Sequence, residues 1–157
     1  MEAVDSEQNK KLVDELLQTA KTVLQRDGYH HMMIFILKDG QMGLVPQLSN
    51  MEKYEYTGMV SYLAEKVDAD FIVTISESFM SQKDIDDPAA DDPKFRPSED
   101  PDRREALMVG VSNCYGNCFI KAVFFKKIEE QIVFEEEEVL QNGQLSLVPP
   151  WKEPTKH

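Results

Sequence analysis

The last third of the chain leaves few architectures open. From Glu105 to Val139 it reads "EALMVGVSNCYGNCFIKAVFFKKIEEQIVFEEEEV", three apolar runs separated by two short polar breaks. β-branched and aromatic residues dominate the runs, as strands on a half-buried pleated surface require. In the middle run Phe119, Lys121, Val123 and Phe125 alternate with Ile120, Ala122, Phe124 and Lys126. A period of two places these sets on opposite faces. Three antiparallel strands are predicted, about 105–112, 117–127 and 131–138, with turns near Tyr115-Gly116 and Glu129-Glu130. An antiparallel sheet must therefore be the centre of the fold.

The first half supplies what packs on that sheet. Leu12, Val13, Leu16, Leu17, Ala20, Val23 and Leu24 recur at helical spacing, which predicts a helix over 6–26. Asp5 or Ser6 can cap its start, and Gly28 follows its end. The period then changes. Asp39-Gly40 between two apolar stretches predicts a hairpin with a type I′ turn. Its first strand, about 30–38, is almost continuously apolar, so both faces are expected to be covered; Pro46 confines the second strand to an edge or its own end. A second helix is predicted over about 50–67, with Ser49 and Glu52 as a capping box and Tyr56, Met59, Val60, Leu63 and Val67 as the inner stripe. "DFIVTIS" gives a strand over about 70–76.

The order is α-β-β-α-β-loop-β-β-β. It defines an α+β chain of one two-layer domain, residues 1–157, with about six mostly antiparallel strands and both helices on one face. Residues 81–104 form the loop. They hold Pro88, Pro93, Pro97 and Pro101 among many aspartates and have too few apolar residues to form a core of their own. Residues 149–157 are expected to pack at the domain edge and then fray.

Charge and cysteine usage narrow the function classes. A net charge of -12 repels phosphate backbones and anionic lipid, so nucleic acid and membrane are poor partners. The N-terminal "MEAVDSEQNKK" lacks a signal peptide's basic start and apolar centre, and no apolar run nears the roughly 20 residues of a membrane span. A cytoplasmic protein is expected. Cys114 and Cys118, three residues apart, match neither a redox nor a zinc pair, and reduced thiols are expected. A cross-strand disulfide across the hairpin tip is the alternative in an oxidising compartment.

Candidate sites are few. "DIDDPAADD" offers oxygen ligands, but it lacks the glycine of a calcium loop and Pro88 intrudes, so metal binding is not expected there; no cofactor motif is present. His30 and His31 are adjacent and point to opposite strand faces, so they do not share a metal; one is expected packed and one solvated. Glu77 lies just past a buried strand, where a carboxylate can act as a general acid or base. Arg103, Arg104 and Glu105 stand where the loop re-enters the sheet. An arginine fork there can clamp Glu99, Asp100 or Asp102 and fix the loop base, or accept an anionic substrate.

"TISESF" followed after the loop by "PSEDPDRREALMV" resembles a family of small bacterial and phage proteins. Their pattern is a strand ending in Ser-Glu-Ala-Trp, then Pro-Ser-x-x-Pro-x-Arg-x-Glu-Ala-Leu. Ser76, Glu77, Pro97, Ser98, Pro101, Arg103, Glu105, Ala106 and Leu107 match, while Phe79 replaces the tryptophan. The resemblance brings no activity, and it implies that Glu77 and Arg103 pair between the strands flanking the loop. The leading expectation is a non-enzymatic protein whose outer sheet face or acidic loop meets a protein partner or a second copy in a homodimer. The alternative is a small hydrolase-like enzyme with Glu77 and Arg103 at a cleft beside the loop.

Overall fold

The computed structural model describes residues 3–80, 104–141 and 148–152. Helix α1 is Glu7–Asp27, and Val13, Leu17, Ala20 and Leu24 form its buried stripe. The Ser6 hydroxyl caps it by accepting the Asn9 N–H at 3.2 Å, and Gly28 closes it at φ 79°. Strands β1 (Met33–Lys38) and β2 (Gln41–Val45) are joined through Asp39 at φ 51° and Gly40 at φ 76°, the positive pair a type I′ turn needs. β2 ends one residue before Pro46. Helix α2 is Lys53–Val67, followed by β3 (Phe71–Met80), β4 (Arg104–Ser112), β5 (Cys118–Ile128) and β6 (Gln131–Gln141). The strands form one antiparallel sheet in the order β2-β1-β3-β4-β5-β6.

The α+β class, the six strands and the element order agree with the sequence reading. Helix placement differs. The stripe of α1 packs on Phe71, Val73, Ile75, Leu107, Val109, Val111, Val123 and Phe125, one alternate set of each strand. Tyr56, Val60 and Ala64 of α2 pack instead with Ile34 and Ile72, which belong to the opposite set. The helices therefore flank the sheet from opposite faces, and the β1–β3 region is three layers thick. Both strand sets are apolar there because both are covered. A third cluster, with Ala106, Met108, Ile120, Ala122 and Phe124, lies on the α2 side of β4 and β5.

Two local expectations are also corrected. The capping box at Ser49 does not form: Asn50 takes φ 65°, the helix starts later, and Glu52 occupies the N-cap without a side-chain bond. Val67, placed in the inner stripe by periodicity, is exposed at the last turn. The start of the tail is docked. Val148 and Trp151 are buried with α2, the Trp151 and Lys152 N–H groups donate to the Cys114 carbonyl at 3.0 Å, and Ser61 Oγ donates to the Pro149 carbonyl at 2.7 Å. Lys152 Nζ lies 2.9 Å from Asp68 Oδ1, which holds the Asp68 carboxyl below the usual aspartate range. Residues 153–157 lie outside the described residues.

One buried side chain ties α2 to the hairpin. The Tyr56 hydroxyl accepts the Ile34 N–H at 3.2 Å and donates to the Val45 carbonyl. Ile34 and Val45 are register partners, so the hydroxyl stands inside the β1–β2 ladder at its last rung. Burial pushes the phenol above its ordinary value, which keeps it a donor.

Candidate functional site

Strand alternation decides where the predicted residues go. Glu77 and Phe79 follow Val73 and Ile75 on the α1 face of β3; Glu105 precedes Leu107 and Val109 on the same face of β4. Phe79 pairs with Glu105, and Glu105 with Phe125, so Lys127 comes next to them on β5. Glu77, Ser78, Phe79, Glu105 and Lys127 line a hollow of about 200 Å³. Glu77 is already engaged: its Oε1 accepts the backbone N–H of His30. The carboxylate thus fixes the connection between α1 and β1 against β3. His30 is buried, with Nδ1 2.7 Å from the His31 carbonyl, and His31 is exposed, edge-on to Tyr29. The hollow presents two carboxylates and an ammonium, suited to polar contact or to holding a basic side chain. Among the described residues no group of three or more His, Cys, Asp or Glu is placed to hold a metal.

Arg104 faces the other way. Its guanidinium lies 3.8 Å from the Phe124 ring centroid, bonds Glu136 through Nη1, and approaches Glu135 Oε1 at 3.3 Å through Nη2. A register shift between Val123 and Phe125 brings the two β6 glutamates within reach, and the Glu136 carboxylate above all raises the guanidinium pKa. Arg104 therefore crosses β5 to bind β4 to β6, a clamp with partners different from the aspartates expected from its neighbourhood. Successive strand residues point apart, which separates Arg104 from Glu105. Arg103 and its expected pairing with Glu77 lie outside the described residues, as do residues 81–103. Cys114 packs with α2 and Cys118 with the cluster over β4 and β5; the two thiols are not bonded to each other.

The two sheet edges contrast in chemistry. β6 carries Glu135 to Glu138 in succession and the register shift, both of which discourage strand addition. β2 alone among the six described strands has no charged residue. Its Met42 is 38% exposed and its Leu44 51% exposed, both on the α1 face. Beside them a groove of about 400 Å³ runs between α1 and the hairpin, lined by Leu12, Leu37, Met42 and Phe71 and also by Lys11, Glu15 and Asp70. The sequence reading did not name Lys127, and from Pro46 it allowed the second strand either an edge position or only its own end there. The alternation of β5 extends to Lys127 once the hairpin register is known; sheet order shows that β2 both stops before Pro46 and lies at the edge.

These features define an α+β protein whose distinctive surface is an uncharged sheet edge. The family model of bacteriophage lambda protein ea47 matches residues 1–156, and the chain belongs to that family. This supports the kinship with small phage proteins that the sequence motifs suggest. No match was found among curated proteins or among solved structures. Among the described residues no helix is long and apolar enough to cross a membrane.

Proposed function

We propose that the chain works by binding a protein through the β2 edge, without catalysing a reaction. The observation that carries this reading is the uncharged β2 strand, which among the described residues pairs with a strand on one side only, in a protein with net charge -12. Edge strands offer backbone donors and acceptors, and charged residues usually guard them. β6 is guarded in that way and β2 is not. Strand addition would supply main-chain hydrogen bonds, while Met42, Leu44 and the adjoining groove would select the partner's side chains. The commitment of Glu77 to the His30 backbone favours a positioning role for that carboxylate over acid–base work.

A photo-cross-linking residue at position 44, in the full chain in phage-producing cells, tests the proposal. A discrete adduct with a protein is expected from position 44 and none from position 139 on β6, where Val139 is also exposed. Glu77→Gln leaves the adduct unchanged. Absence of an adduct at 44, or its loss in Glu77→Gln with the fold intact, contradicts the reading.

A further inference from the structure

We propose that the partner at the β2 edge is a second copy of this chain, paired antiparallel about a twofold axis at Gly43; this rests on the binding reading above. The two-residue turn makes Lys38 and Gln41 a hydrogen-bonded pair. By alternation Gln41, Gly43 and Val45 bond to β1, while Met42 and Leu44 turn their N–H and C=O groups outward. A strand with two outward residues placed symmetrically about a glycine is complementary to itself. Met42 of each copy bonds Leu44 of the other, giving four backbone hydrogen bonds, and Gly43 faces Gly43. Pro46, the next position of outward parity, has no N–H, so the ladder stops there.

The side chains fit the same register. A twofold axis normal to the sheet keeps faces matched, so Met42 of one copy lies against Leu44 of the other at the mouth of the groove beside α1. Charge selects this edge over others. Two copies of net charge -12 repel, and the contact that adds least repulsion is the strand without charge. A β6–β6 contact would instead bring the Glu135–Glu138 runs together. Screening by salt should therefore strengthen the β2 pair.

Sedimentation of the purified full chain should show a reversible dimer, twice the 18.0 kDa chain mass, that grows with concentration and with ionic strength. Gly43→Cys supplies the register. A Cβ built at Gly43 meets nothing within 4 Å, so the variant folds. Cα atoms at a non-hydrogen-bonded antiparallel pair stand about 4.5 Å apart, within disulfide range, so mild oxidation should link two copies. The unaltered chain, whose Cys114 and Cys118 are both buried, should stay unlinked. Leu44→Pro removes an outward N–H while sparing the bonds to β1, and it should abolish the dimer. A chain monomeric at all concentrations and salt levels, or a dimer in which Gly43→Cys does not link, overturns the self-pairing. The adduct at position 44 separates the two claims: another protein there overturns only the self-pairing, and no adduct overturns the binding reading as well.

Discussion

Leu107→Ala is expected to lower the unfolding free energy by about 2–5 kcal/mol, the range for truncating a fully buried leucine. Leu107 is inaccessible to solvent in the middle strand β4, in register with Glu77 on β3 and Val123 on β5. It belongs to the cluster that α1 closes from above. Truncation leaves a void between three strands, each held by its own ladder, so little relaxation can fill it. Val133→Ala on the exposed side of β6 is the control and should stay within about 0.5 kcal/mol. Chemical denaturation of the two variants measures the difference; a Leu107→Ala loss below that of the control would contradict the position of the core.

Tyr56→Phe should cost about 1–3 kcal/mol, because it leaves a buried donor and acceptor without their shared partner. The hydroxyl stands between the Ile34 N–H and the Val45 carbonyl at a buried ring. The variant has a second signature. A phenol whose folded pKa lies above its unfolded value near 10 contributes stability below that pH, and the contribution is lost as pH rises through the folded value. Tyr56→Phe should therefore be less stable than the parent at neutral pH and should lose less above about pH 10. Stability curves at neutral and alkaline pH read both effects; equal stability at neutral pH would remove the bridging role.

Local pattern carried most of the architecture. The stripe of α1, the Asp39-Gly40 turn, the stop at Pro46 and the three C-terminal strands all follow from periodicity and turn chemistry within a few residues. What local pattern left out was the side each helix takes. Ile34 and Phe35 are adjacent and both apolar; only the partner helices reveal that they serve different cores. The Ser49 box failed for a related reason. A capping box needs its serine next to the first helical amides, and the positive φ of Asn50 delays the helix beyond reach.

The site the sequence proposed, Glu77 with Arg103, lies partly outside the described residues. Glu77 and Glu105 line one hollow, a meeting the sequence reading did not name, because an antiparallel register across β3 and β4 brings the ends of the two strands together. Arg104 was legible as a clamp, but its partners were not, since they arrive through a register shift in β6 some thirty residues away. The Glu77 partner was hidden for a different reason: it is a backbone N–H, which no residue type announces. The β2 edge was open to two readings. Pro46 allowed an edge position or only a strand end, and the sheet order shows that β2 takes both.

Residue-resolved amide exchange along β2 tests that edge most directly, on the purified chain over a range of concentrations and on chain recovered from phage-producing cells. The account predicts that Met42 and Leu44 gain protection with association, while Gln41 and Gly43, bonded to β1, do not change. Met42 and Leu44 exchanging at the unprotected rate in every sample would contradict it.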